Sequence, residues 1–177
     1  MKYYILLVAF CAGCFIASAE LSKSDLRDFG RLVRIDGVRA STNKKNRDEV
    51  YEVLRIEYSS EEDGLDDILF RVAVELTDKK TKETYLAQKT RGHGNFSNHK
   101  GDYIGEGYWE FVISCGSRRL KITGYAVEYG VMDGETFVPL DADYDDVKSF
   151  EELTTRTTTP YPEKVKLSST YMVDGGY

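Results

Sequence analysis

The chain carries two histidines, His93 and His99, and both fall in one glycine-rich stretch, "GHGNFSNHKGDYIGEGYW" at 92–109. With Asp102 they form a set of two histidines and one carboxylate, donors that zinc and non-haem iron accept. Such donors need ordered elements and supporting hydrogen bonds around them. Here they are interleaved with Gly92, Gly94, Asn95, Ser97, Asn98 and Gly101, the composition of a loop. Their spacing matches no zinc signature, so a solvated loop is expected. The sequon Asn95-Phe96-Ser97 makes Asn95 an N-glycosylation candidate and also points outward to solvent.

A second constellation is "DADYDDVKSFEE", 141–152. Asp141, Asp143, Asp145 and Glu152 occupy positions 1, 3, 5 and 12 of a calcium-binding EF-hand loop. Position 6, where the sharp turn requires glycine, is Asp146, and Pro139-Leu140 leads in as a strand rather than a helix. Calcium is therefore only a loose alternative, and no cofactor or metal is assigned. An acidic solvated segment is expected, with Asp145 or Asp146 at the N-terminus of a short helix. Tyr144 has four aspartates within three residues, the setting in which tyrosine is sulfated on the secretory route. Asp141, Asp143, Tyr144, Asp145 and Asp146 are thus the candidate contact set for a cationic partner, with Tyr144 a candidate sulfation site.

No nucleophile elbow, zinc-protease helix, P-loop or paired-carboxylate motif is evident, so no catalytic residue is assigned and no enzyme is expected. Glu61-Glu62 and Asp66-Asp67 read as polar connections. Cys115 shares strand parity with Trp109, Phe111 and Ile113, which predicts a buried, inert thiol rather than a nucleophile.

The elements that must position these residues are mainly strands. Ser22 or Ser24 caps a predicted helix with Leu26, Phe29 and Leu32 or Val33 on one face. A polar turn follows at 41–49. Residues 50–58 alternate Val50, Leu54, Ile56 and Tyr58, interrupted by Glu52. In "ILFRVAVEL", Ile68, Phe70, Val72, Val74 and Leu76 share one face, and 84–90 supplies the antiparallel partner. Gly116-Ser117 fits a type II′ hairpin and Asp133-Gly134 a type I′ hairpin. Consecutive hairpins predict a mostly β fold, an antiparallel sandwich or barrel built as a meander with one or two short helices. The Thr/Pro-rich segment 154–164 reads as an exposed linker suited to O-linked sugar. Residues 165–177 hold a last edge strand and a frayed end at 174–177.

Residues 1–19 combine Lys2, an apolar run from Ile5 to Ala17 and the small-x-small end Ala17-Ser18-Ala19, the pattern of a cleaved export signal. The mature chain then starts at Glu20, with 20–153 as a single β-rich domain. Its signal takes one lysine and no acid, leaving 23 basic against 30 acidic residues and a net charge of −7. Such a charge repels nucleic acid and anionic membranes and favours basic partner surfaces. Cys11 and Cys14 leave with the signal, so Cys115 has no partner for an internal disulfide and the fold must rest on its core.

Gly107-Tyr108-Trp109 resembles the G-x-W of lipocalins, secreted eight-stranded barrels that hold small apolar ligands. In that family the motif sits on the first strand, whereas here it lies past the middle of the chain. Trp109 is more simply a core residue. The expected function is that of a secreted, extracellular, monomeric, non-enzymatic binding protein acting on an extracellular protein or receptor with a basic surface. The class is a host-directed effector, inhibitor or receptor ligand, as in saliva, venom or a parasite secretion. The alternative is a lipocalin-like small-ligand carrier with an internal barrel cavity.

Overall fold

Alternating apolar residues recur along most of the chain, and in each strand they turn one face inward. The computed structural model describes residues 26, 33–44, 49–60, 68–92, 105–116, 118–163 and 165–171. In chain order the elements are β1 (Val33–Lys44), β2 (Val50–Ser60), β3 (Ile68–Asp78), β4 (Thr84–Gly92), β5 (Gly105–Gly116), β6 (Leu120–Asp133), β7 (Thr136–Asp145), α1 (Phe150–Arg156) and β8 (Val165–Tyr171). They form two four-stranded sheets, β1-β2-β5-β8 and β4-β3-β6-β7, with every strand pairing antiparallel. The fold is an antiparallel β-sandwich with a short helix, as the patterning predicts.

The core lies between the sheets. Phe70, Val72, Val74 and Leu76 of β3 and Trp109, Phe111, Ile113 and Cys115 of β5 are all 0 % exposed. Both runs face inward, in the predicted parity. Trp109 stacks on Phe70 at 4.7 Å between ring centroids, and its indole N–H donates to the Tyr129 hydroxyl at 2.6 Å. Gly107 is the strand position beneath the Tyr58 ring: a Cβ there would come within 2.7 Å of that ring. The glycine of the G-x-W pattern thus makes room for an aromatic packing partner.

Three connections differ from expectation. The Gly116-Ser117 link is not a hairpin, because β5 pairs with β2 and β8 while β6 pairs with β3 and β7. The chain there crosses between sheets, with Gly116 at φ 54°, so the hairpins β1–β2, β3–β4 and β6–β7 are shared between the sheets rather than strung in one meander. The β6–β7 turn centres on Gly134 and Glu135, since Asp133 pairs with Thr136. Only Gly134 takes positive φ, 60°, which is the type II′ pattern rather than type I′. Thirdly, the expected linker is not a linker. Its first part completes α1, and its second crosses the edge of β4, where Leu86 N–H donates to Thr159 O at 2.7 Å and Tyr161 N–H to Leu86 O at 2.8 Å. Thr157 and Tyr161 are buried, although Thr158, Thr159 and Pro160 stay exposed.

β1 occupies sequence expected as the end of a helix and part of a turn. Leu26 is helical and packs on the core; the rest of that expected helix lies outside the described residues, and Val33 belongs to β1. The helix expected at Asp145 begins instead at Phe150, capped by Ser149, whose hydroxyl accepts from Glu152 N–H. Glu152 in turn accepts from Lys148 N–H at 2.8 Å, a reciprocal cap displaced by one residue from the usual box.

Side chains close both open edges of the sandwich. On one side Asp141 of β7 accepts the Ile35 N–H of β1 at 2.7 Å. On the other, Arg91 of β4 donates to Leu167 O of β8 at 2.8 Å, Lys89 reaches Val165 O at 3.4 Å, and the Tyr161 hydroxyl donates to Ser114 O. Edge N–H and C=O groups left bare are templates for aggregation, and these clasps cover part of them.

Candidate functional site

The first part of the acidic segment, 141–145, is the end of β7, and 146–149 form the bend that leads into α1. A bulge at Leu140, between the pairs Tyr129–Asp141 and Gly130–Pro139, shifts the side-chain parity by one. Beyond it, Asp141 and Asp143 share the face of Tyr129 and Val127, on the inner side of the sandwich edge, while Tyr144 takes the outer face. Asp141 bonds the Ile35 and Ala142 amides. Asp143 accepts from the Tyr125 hydroxyl at 3.1 Å. Burial and the Asp143 carboxylate push the Tyr125 phenol above its usual range.

Tyr144, the candidate for sulfation, has its hydroxyl engaged. It donates to Glu128 Oε1 at 2.6 Å, and burial followed by the Glu128 carboxylate raises its pKa. A sulfate on this oxygen would break that bond and set an anion against a buried carboxylate. Asp145 and Asp146 are exposed. Asp146 adopts φ 60°, and its carbonyl and carboxylate accept from Arg156 at 2.9 and 3.1 Å. The four calcium candidates are not gathered: Asp141, Asp143 and Asp145 lie along β7, while Glu152 caps α1. Among the described residues no group of three or more His, Cys, Asp or Glu side chains is placed to hold a metal. His93, His99, Asp102, Asn95, Glu61, Glu62, Asp66, Asp67 and the expected signal lie outside the described residues. Cys115 sits where its parity puts it, 0 % exposed, and burial pushes its thiol pKa up.

Beneath α1 the outer face of sheet β4-β3-β6-β7 carries a buried polar cluster that the sequence did not suggest. Leu153 packs on Ala73 and Ala126, small residues that let the helix lie close to the sheet. Beside it Arg71 pairs with Glu128 at 2.5 Å and Glu151 at 2.9 Å, its guanidinium lying 3.9 Å from the Phe137 centroid and 4.2 Å from that of Phe150. Glu75 accepts from Thr123, Arg156 and Thr157. At the sandwich end, buried Glu52 pairs with Lys121 at 3.1 Å and accepts from Thr42 at 2.7 Å. Each carboxylate is thus occupied by cations and hydroxyls, the arrangement of structural ion pairs.

The surface feature with chemistry to offer is the end where β3 and β6 meet their loops. Asp78 opposes Leu120 there, and β5 reaches the same end at Gly116. The 79–82 loop and the 118–119 link are joined by Lys79 N–H to Arg119 O at 3.0 Å. The first loop is fixed by Asp78, whose carboxylate accepts Lys80 N–H at 2.7 Å and Thr81 N–H at 3.2 Å. These amides, with Arg118 and Lys80 nearby, hold the Asp78 carboxyl below the usual carboxylate range. Lys82 takes φ 65° and donates its N–H to Asp78 O at 2.9 Å, closing the turn. Asp78, Lys80, Arg118 and Arg119 line an open recess of about 380 Å³, with Lys79 and Lys82 exposed beside it. Each loop shows its basic residues in the sequence. Their meeting depends on the sheet crossing after Gly116, which hairpin reasoning hides.

Comparison with protein-family models, with curated proteins and with solved structures finds no match. Among the described residues no helix is long and apolar enough to cross a membrane.

Proposed function

We propose that the chain is exported and acts without catalysis, by binding an extracellular protein or receptor that presents a basic surface. The export signal at 1–19 and the net charge of the mature chain motivate the compartment and the partner's sign. The observation that carries the proposal is a sandwich clasped at both edges whose β7–α1 corner keeps an acidic surface in solvent. Asp145, Asp146, Glu151 and Glu152 are all exposed there, Asp146 beside Arg156 and Glu151 beside Arg71, while Asp145 has no ion pair among the described residues. A rigid scaffold lowers the ordering cost of binding, and a rim of one sign steers an oppositely charged partner. A small-ligand carrier would need an unfilled interior, whereas Trp109, Tyr129, Phe70 and Phe111 fill the space between the sheets with fully buried rings.

The test begins with capture of a partner from extracellular fluid by the mature chain. Asp145→Asn with Asp146→Asn is then compared with wild type across salt concentrations. Association should slow about threefold or more at low salt while dissociation changes little, since exposed charges act within a Debye length of ~8 Å. An unchanged association rate at every salt concentration removes this corner from the binding face.

A further inference from the structure

We propose that the recess between the 79–82 loop and the 118–119 link binds a sulfated polysaccharide segment, with Lys79, Lys80, Lys82, Arg118 and Arg119 meeting its sulfates. The choice of sulfate over phosphate rests on the export reading above; the anion-binding geometry does not.

The first reason is charge accounting. Arg34, Arg39, Arg55, Arg71, Lys121 and Arg156 each lie within ion-pair distance of a carboxylate. Among the described residues, none of the five cations at this end forms an ion pair. The carboxylates beside them are turned to other work. Asp78 accepts loop amides, and Glu83 accepts from the Tyr85 hydroxyl at 2.7 Å and from Thr81 at 3.2 Å. Glu163, exposed next to Gly116, is the remaining acid in this neighbourhood. Five cations against the three carboxylates Asp78, Glu83 and Glu163 leave this end net positive in a net-acidic chain, a local surface suited to an anion.

The second reason is preorganisation. Main-chain bonds fix both loops and tie one to the other, so the five basic residues are brought to one end of the sandwich without a ligand to gather them. Arg118 lies 5.6 Å from the Tyr85 ring centroid, a cation–π placement that restrains its direction. Less ordering is then lost on binding.

The third reason selects a sugar. The recess volume, about 380 Å³, falls at the small end of ligand sites, which run from ~300 Å³. That is room for a saccharide unit. Five cations on two adjoining loops exceed what one sulfate requires and suit a chain carrying several.

The experiment titrates the mature protein with a heparin-type oligosaccharide, its desulfated counterpart, inorganic phosphate and a short DNA duplex, by calorimetry over a salt series. The combined variant Lys80→Gln, Arg118→Gln and Arg119→Gln is set beside a control, Arg34→Gln, Lys148→Gln and Lys166→Gln, which removes the same charge from other exposed positions. Thermal melts confirm that both sets fold. The sulfated chain should bind wild type and the control alike. The recess variant should lose about tenfold or more, with the slope of log affinity against log salt reduced by about one unit per cation removed. Four results each overturn the proposal: no binding of the sulfated chain, equal binding of the desulfated chain, phosphate or DNA binding as tightly, or equal loss in the control. None of them bears on the β7–α1 corner, whose own variant reports separately.

Discussion

Glu128 is 2 % exposed at its side chain and Arg71 15 %, whereas the Arg34–Asp36 pair is exposed at 75 % and 30 %. The two ion pairs have similar geometry and should differ greatly in their worth. Glu128→Ala leaves the Arg71 guanidinium, held between Phe137, Phe150 and the sheet, with only the exposed Glu151 as counter-ion, and removes the acceptor of the Tyr144 hydroxyl, so it should cost about 3 kcal/mol in urea unfolding. Asp36→Asn, at a solvated pair, should change stability by ~0.5 kcal/mol or less. Similar losses for both would show that the cluster under α1 is hydrated and that Arg71 is free to leave. Residue-level legibility follows the same division. Trp109, Phe111, Ile113 and Cys115 could be assigned to the core because alternation alone places them there. Glu52, Glu75 and Glu128 could not, because a carboxylate is buried only when its partners arrive, and these come from distant strands or from α1. Asp141 and Asp143 resembled solvated charges for the same reason: the bulge at Leu140 that turns them inward leaves no mark in residue type.

Elements were legible where one period ran unbroken. β3 alternates from Ile68 to Leu76 without interruption, and its partner β4 followed from the turn between them. β1 fails this test by a single residue. Val33 and Ile35 keep one parity and Val38 and Ala40 the other, because Asp36 is bulged out between the pairs Ile35–Tyr58 and Gly37–Glu57. The helix α1 is misplaced for a different reason. Aspartates are good caps, so Asp145 and Asp146 were favoured, yet β7 uses Asp145 as its last residue and Ser149 takes the cap. The short helix has little intrinsic stability and holds by packing. Leu153, 0 % exposed, is the anchor. Leu153→Ala should therefore cost ~2–5 kcal/mol, and Ser149→Ala ~1 kcal/mol. Limited proteolysis should cleave the Leu153 variant first between 150 and 163, before the sandwich opens. Cleavage spread evenly through the strands would mean that α1 and the sheets unfold as one unit.

At the scale of the molecule, three tyrosine hydroxyls add to the strand ladders, two across the paired strands β6 and β7 and one between the sheets. Tyr125 ties β6 to the outer half of β7, Tyr144 ties β7 to the cluster beneath α1, and Tyr161 carries the strap across to Ser114 of the other sheet. All three phenols are pushed above their usual value of 10.0, burial being the largest cause in each; neighbouring carboxylates add to it, Asp143 for Tyr125, Glu128 for Tyr144 and Glu163 for Tyr161. Neutral phenol is thus the form that the folded state prefers. The linkage follows directly: a raised folded pKa gives stability that is complete below pH 10 and is lost as pH climbs from there towards the folded values. Alkali should therefore unfold the protein. Tyr125, Tyr144 and Tyr161 should ionise above pH 10 in one steep step, coincident with loss of strand signal. Absorbance at the phenolate band, recorded beside far-ultraviolet dichroism, reads both. Tyr144→Phe should remove one phenol from that step. If every tyrosine titrates near pH 10 while the sheets persist, the three hydroxyls are open to water and the clasping of helix, strap and edge must rest on the aspartate and arginine contacts alone.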